Sequence, residues 1–505
     1  MSARQLFERL QKLMQVPTAW SYSYGLEAWY QRVYCPASAI AAREFGAKLL
    51  AGMAHRTFIT DENGQCLDDL VGVADELPTT QAAFVRRLKL SFDMARQLDP
   101  EFVERKEGIR TRSEAVWKVA RAESNFKMFA PLLTEMINIT REEAIIRGAD
   151  ANNPSTFYPV LFNLYEPGMD IALVEAMLDD AFAFTRDLLE RVRASGVTPR
   201  TDFLEWTYDP IALKDLCPDV AKVVGFDFDR GGFDLTTHPF CVRLGVNDVR
   251  ITGRITNGLA GAFFGVAHEA GHAIYDQNLP DYMVTTWVEA MRYSLGVHES
   301  QSRGTENGNC RSRPFWEFYY PKLQTRFPRL QEVSLDEFVA GINTARPSFI
   351  RVEADEATYN VHTRARFRVE RGFIAGDIVV DDIPEAFNQE IFDGLGIRPP
   401  NDAQGCLQDI HWGGGLIGYF PTYSIGNFMG PQVVEQFRQD VPDWETHLRN
   451  GDFGSYNAWM CEHVHQRGMV DTAAELVERI TGKPLSTDAW KRRIMSGVRP
   501  VYGLN

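Results

Sequence analysis

Leu259, Phe263, Val266, Ala267, Ala270 and Ile274 recur at helical spacing, so the stretch 259–275 predicts a helix buried along one stripe. The same helix carries His268 and His272, one turn apart and able to point the same way. Two imidazoles so placed can each give a nitrogen to one zinc ion, while Glu269 between them can reach a water on the metal's open side. Short matches of this kind also arise by chance, and two histidines one turn apart can be ordinary surface groups. A third ligand separates the two readings, because catalytic zinc takes three protein ligands and keeps one position for water.

That ligand is sought in the segment Val297-His298-Glu299-Ser300-Gln301-Ser302-Arg303, where His298 comes 26 residues after His272. The interval has room for one loop and one further helix. Glu299 is the first choice, with Glu289, ten residues earlier on the same expected helix, as the competing carboxylate. His298 is placed beside the ligands, to orient one of them or to contact substrate, although capping or packing explains it equally well.

The chain of 505 residues is 45% hydrophobic and 24% charged, enough for a large core, and no run of 18 apolar residues suggests a membrane span. The N-terminal Met1–Leu10 stretch reads as an amphipathic helix rather than a signal peptide. Seven scattered cysteines without a Cys-x-x-Cys pair fit a reducing, cytoplasmic setting. The net charge of −15 argues against a general nucleic-acid binder, which needs a basic face.

Up to about residue 220 the periodicity predicts a succession of helices. Asp99-Pro100 supplies a cap and a first-turn proline, so one helix should end near Gln97 and the next begin at Pro100. Apolar spacing predicts further helices over 113–123, 126–147 and 170–194, the last capped by Asp170 after the Pro167-Gly168 turn. Between about 224 and 257, apolar and polar residues alternate between glycine turns, as in short antiparallel strands. An exposed edge there could align an extended peptide. Helices resume after 259. The stretch 413–426, with five glycines among aromatic groups, reads as a close-fitting loop. No linker divides the chain, so 1–505 is taken as one domain.

Six segments in order carry a resemblance over essentially the whole length. They are His238-Pro239-Phe240, Asp248-Val249-Arg250-Ile251-Thr252, His268-Glu269-Ala270-Gly271-His272, His298-Glu299-Ser300-Gln301, Ile350-Arg351-Val352-Glu353-Ala354-Asp355, and Gly405-Cys406-Leu407-Gln408-Asp409-Ile410-His411-Trp412. In these the chain resembles the carboxypeptidase Taq family of zinc metallocarboxypeptidases. The resemblance implies a mainly α-helical, two-lobed body with a deep groove and a small antiparallel sheet near the active site, similar to neurolysin and angiotensin-converting enzyme. It also implies a homodimer. By the same carry-over His268, His272 and Glu299 hold one zinc per chain, replaceable by cobalt, and Glu269 is the general base, which settles Glu299 over Glu289. The chain departs from the family at His362-Thr363-Arg364-Ala365-Arg366, where the relatives tend to be more apolar.

Peptide hydrolysis needs a stronger nucleophile than water and a donor for the developing oxyanion. Tyr423 and His238 are the donor candidates, each equally explicable as a buried hydrogen-bonded side chain. An exopeptidase must also grip the free C-terminal carboxylate, for which arginine's planar fork is best suited. Arg351 is the first choice and Arg250 the second, with Gln408 and His411 lining the same pocket. Asp248, Asp355 or Asp409 could instead hold these arginines in ion pairs. The expected activity is removal of single C-terminal residues from peptides with broad tolerance. An endo-oligopeptidase using the same groove is the alternative, and a catalytically silent peptide-binding scaffold a third reading.

Overall fold

In the computed structural model all residues are described except 37–38, 237–238, 256–257, 289–290, 292 and 505; of residues 40–42, 44 and 104 only the backbone is described. Helices dominate, and one hydrophobic core draws side chains from Leu6 near the N-terminus to Tyr502 near the other end. The longest helix, Ala3–Val33, starts on a capping box in which Ser2 and Gln5 satisfy each other's backbone N–H. The punctuation read from sequence is kept: one helix ends at Arg96, and the next, Pro100–Ala122, is capped by Asp99 and absorbs the stretch expected from 113. Helices Phe126–Ile146 and Ile171–Ser195 follow, the latter capped by Asp170.

The three strands are β1 (Gly231–Leu235), β2 (Cys241–Gly245) and β3 (Asp248–Gly253), with β3 in the middle. β2 and β3 form an antiparallel hairpin whose turn places Asn247 at φ +55°. The expected antiparallel sheet is corrected at β1, which runs parallel to β3 with Gly231 opposite Val249. β3 enters between the two earlier strands, so the loop after β1 can reverse the chain without pairing β1 to β2. Val249 and Ile251 are buried, whereas Asp248 and Arg250 on the alternate face are half-exposed.

The sheet packs against the helix Val266–Gln277, which carries the paired histidines and is preceded by a π-helical turn, Gly261–Gly265. Helix Leu295–Arg303, carrying Glu299, crosses it and continues into a second π-helical segment, Gly304–Cys310. Because this helix starts at Leu295 on the cap Ser294, it does not extend back toward position 289, and Glu289 itself lies outside the described residues. Helix Pro421–Asp440 lies along Leu295–Arg303. A Cβ on Gly426 would stand 2.5 Å from Glu299 Cβ, and one on Gly271 would stand 2.7 Å from the Gln301 carbonyl oxygen. Glycine at these two crossings is what lets three helices converge on Glu299.

Helix Tyr359–Ala375 contains the departure at 362–366. His362 and Arg366 are buried there, and Arg364 pairs with Asp179 and Glu390, so its extra polarity is taken up by ion pairs on the neighbouring helices.

Glu143 in Phe126–Ile146 is buried beside Lys106 and accepts from Arg147 Nε at 2.9 Å. Burial alone would raise its carboxyl, but the two cations outweigh it and hold it down to about 2. A depressed folded value contributes stability that is complete above the unfolded value of 4.5 and is lost as pH falls toward 2. The contribution at neutral pH is on the order of 3 kcal/mol. Glu143→Gln should therefore lose stability at pH 7, and urea midpoints should show its deficit against wild type shrinking between pH 4.5 and 2. A constant deficit across that window would dismiss the charge pair as the cause.

Candidate active site

One helical turn separates His268 and His272, and both imidazoles turn Nε2 toward the same carboxylate oxygen. His272 Nε2 lies 3.3 Å from Glu299 Oε2 and His268 Nε2 lies 3.6 Å from it. One donor atom from each of the three residues falls within 4.8 Å of the other two. Tetrahedral zinc with ligands at 2.0–2.1 Å sets donor atoms about 3.3 Å apart, so two nitrogens and one oxygen spaced in this way fit such an ion. Two imidazoles and a carboxylate are also a donor set that a catalytic zinc would take, since such an ion uses three protein ligands.

Each of the three side chains is held from behind. His268 Nδ1 lies 3.0 Å from Glu306 Oε2, and Arg311 Nη2 donates to Glu306 Oε1 at 3.1 Å. His272 Nδ1 lies 2.6 Å from His298 Nδ1, and His298 Nε2 lies 3.2 Å from Asp276, which pairs with Arg243. Arg303 Nε donates to Glu299 Oε1 at 2.8 Å, leaving Oε2 to face the histidines. Second partners of this kind fix ring orientation and tautomer at metal ligands.

The electrostatics follow from burial and these partners. Burial would raise Glu299, but Arg303, His268 and His272 hold it well below the ordinary glutamate range. Glu306 and Asp276 are each held to about 2 against their burial, the former by His268, Arg303 and Arg311, the latter chiefly by Arg243 and His298. Burial lowers His272 to about 4, which keeps its imidazole neutral and able to ligate. Glu269 moves the other way: burial, reinforced by Glu299 and Glu306, pushes it up to about 7.

Glu299 owes its place to a distant residue. Glu166, wholly buried in the turn before Pro167, accepts from Ser294 Oγ at 2.6 Å and from the Gly296 backbone N–H, while Leu295 N donates to the Tyr165 carbonyl at 3.1 Å. A carboxylate here satisfies orphan donors at the start of the helix bearing Glu299.

Arg351 is buried and its fork closes on Asp409, with Nη2 donating to Oδ1 at 2.8 Å and Nε to Oδ2 at 3.2 Å. Its third nitrogen donates to the Tyr359 hydroxyl. Arg366 Nε donates to the same Asp409 at 2.7 Å, so two guanidinium charges share one carboxylate. Gln408 accepts from the Arg351 backbone at 2.8 Å, and Asp355 caps Thr358 rather than pairing with an arginine. Arg250 instead pairs with its neighbour Asp248 over the Trp29 ring.

Tyr423 stands in the first turn of Pro421–Asp440 and not in the expected loop, because turns end at Phe420 and Pro421 starts a helix. His411 Nε2 lies 3.1 Å from its hydroxyl, and Tyr419 packs edge-on at 5.3 Å. His238 lies outside the described residues. Arg303 stacks 4.5 Å over Tyr359, whose hydroxyl accepts from Arg351, so the His268–His272–Glu299 group and the Asp409 cluster adjoin through one ring.

Glu306, Glu166, Tyr359 and Tyr419 escaped the sequence reading. Glu306 could have been found from its position seven residues past Glu299, two turns along a helix; Tyr419 from its place one turn before Tyr423. Nothing local announces Glu166, whose partners are about 130 positions away.

A model of carboxypeptidase Taq (M32) metallopeptidases matches residues 9–496. The chain is 33% identical over 500 residues to thermostable carboxypeptidase 1 of Thermus thermophilus, covering 97% of this chain and 98% of that one. It is 32% identical over 487 residues to carboxypeptidase 1 of Bacillus subtilis, covering 96% and 95%. Among solved structures, the M32 carboxypeptidase of Deinococcus radiodurans superposes with a TM-score of 0.91 at 33% identity, over 99% of this chain and 100% of the other. Metallocarboxypeptidase 1 of Trypanosoma cruzi gives 0.90 at 30% identity, over 98% and 99%.

Glu306→Gln should weaken metal binding by roughly 10–100-fold, since the neutral amide no longer anchors His268 Nδ1 by a charged bond. Competition against a chelator of known affinity measures this, and unaltered affinity would leave Glu306 a packing residue.

Proposed function

Because the chain belongs to the carboxypeptidase Taq (M32) family of metallopeptidases and is a metallocarboxypeptidase, we propose that it removes C-terminal residues from peptides with zinc as its ion. The observation that carries the assignment of the site is the convergence of His268, His272 and Glu299 through one donor atom each. A zinc ion held by His268, His272 and Glu299 would supply Lewis-acid activation of water and of the scissile carbonyl.

The remaining work falls to the chain's own groups. Glu269, buried beside His268 on the same helix, is the base that takes the proton from water and returns it to the departing amine. Tyr423 and His411, which share a hydrogen bond beside Tyr419, are the donors for the oxyanion; His238 keeps the same proposed role from its motif alone. His298 orients His272.

Arg351 is the proposed receptor for the substrate's terminal carboxylate. Two arginines on one Asp409 leave one positive charge over, and of the five Arg351 N–H groups Asp409 and Tyr359 occupy three. Arg250, balanced by Asp248, offers no such surplus and remains the second choice. Gln408, which accepts from the Arg351 backbone N–H, and His411 are proposed to line the same pocket. The free state of all seven cysteines supports a cytoplasmic setting, and no helix among the described residues is long and apolar enough to cross a membrane. A homodimer, one domain over 1–505 and broad side-chain tolerance complete the proposal. The same pocket favours an exopeptidase over an endo-oligopeptidase, since an internal bond presents no carboxylate to Arg351. A time course on an unblocked peptide should show residues lost one at a time from the C-terminus; internal fragments would favour the alternative.

Removal of metal should abolish turnover and zinc or cobalt should restore it. Glu269→Gln should keep about one metal per chain yet lower kcat by on the order of 10²–10⁴-fold. Wild-type turnover in that variant would exclude Glu269 as the base.

Arg351→Ala should cost on the order of 2–5 kcal/mol in kcat/KM on a free-acid peptide and little on its amidated analogue. Equal losses on both substrates, at intact metal content, would make Arg351 a purely structural partner of Asp409.

A further inference from the structure

Glu370 is wholly buried in Tyr359–Ala375 and meets three donors. Trp412 Nε1 donates to Oε1 at 2.9 Å; the Tyr158 hydroxyl and the Gly418 backbone N–H donate to Oε2 at 2.8 and 3.2 Å. Trp412 and Gly418 are the two ends of the glycine-rich loop that lies between His411 and Tyr419. A single carboxylate therefore ties the loop shut, and the residues just outside the knot are those at the site. His411 precedes Trp412, Tyr419 follows Gly418, and Tyr423 comes one turn later.

The loop needs such a tie. It contains no regular helix or strand, and within it backbone bonds such as Leu416 N to the His411 carbonyl, 2.9 Å, close only short turns. Gly418 adopts φ +94°, and a Cβ there would stand 2.8 Å from Phe162 N, so its backbone lies flat on the neighbouring helix with no side chain to anchor it. Its N–H is thus the handle, and Glu370 takes it. Three donors pointing at one group also explain why the group is a carboxylate: every partner needs an acceptor, and an amide would turn its own N–H₂ toward one of them.

We propose that Glu370 is a positioning residue for the hydrolytic reaction, clamping both ends of the 412–418 loop so that His411 and Tyr423 stand in register with the metal ligands. The proposal rests on the roles given above to His411 and Tyr423.

Glu370→Gln should lower kcat per metal-loaded chain on the order of 10–100-fold, the scale of small misplacements at a reacting centre, with KM changed less than about threefold. Amides of residues 413–418 should exchange hydrogen about tenfold faster or more, while those of Val266–Gln277 keep their protection. Trp412→Phe, which frees one loop end and leaves Glu370 in place, should reproduce both effects if the first variant folds poorly. Tyr158→Phe, which leaves both ends tied, should retain kcat within about threefold. Wild-type kcat in folded, metal-loaded Glu370→Gln or Trp412→Phe would overturn the proposal, as would unaltered loop exchange. Tyr423→Phe and His411→Ala serve as references. If they collapse kcat while Glu370→Gln does not, the clamp fails and the assigned roles stand. If they are silent while Glu370→Gln loosens the loop and lowers kcat, those roles fail and the clamp acts through another group of the loop.

Discussion

A glutamate kept charged where almost no water reaches it is the condition on which the site depends. Taking a carboxylate out of water is unfavourable unless charges and donors replace its hydration, and Glu299 obtains them from Arg303 on one oxygen and from two imidazoles on the other. Those groups come from two crossing helices, so the helices must meet closely; glycine at 271 permits that crossing, and glycine at 426 lets a third helix, Pro421–Asp440, lie against Glu299. The start of the Glu299 helix is pinned in turn by Glu166, a residue from a different part of the fold.

The same rule orders the surrounding charges. Glu299 has Arg303, Glu306 has Arg311, and Asp276 has Arg243, each acid with its own guanidinium. Glu269 forms no such pair among the described residues, and its proton affinity rises accordingly to about 7. Three of these four acids are thereby held as anions, and the fourth, without a guanidinium of its own among the described residues, is shifted the other way by burial. At Asp409 the imbalance has the opposite sign, with two arginines on one carboxylate. Tyr359 joins the two regions, stacked under Arg303 and bonded to Arg351.

Where sequence reading and structure part, the cause is pairing or packing beyond the local window. Alternation places short strands between about 224 and 257 but does not show that β3 enters between its predecessors, since strand order depends on where the chain is covered by other elements. The glycines of 413–426 were read as one loop, yet Pro421 begins a helix, and Gly426 serves a helix crossing rather than a turn. An expected helix spanning 289–299 does not start until Leu295, because Ser294 caps it.

Local chemistry by itself determined the helices, their caps at Asp99 and Asp170, and the two histidines with Glu269 between them. All of these rest on spacing within one or two turns, which the backbone's own period converts directly into a shared face. The order of six motifs added the family and the choice of Glu299. Only the tertiary structure decided that Glu306 backs His268, that His298 bridges Asp276 and His272, that Arg351 shares Asp409 with Arg366, and that Glu166 and Glu370 accept hydrogen bonds from other parts of the fold. Several of these are contacts between residues far apart in the chain. The value of a buried charge depends on which donors and countercharges surround it, and that set exists only once the helices have packed.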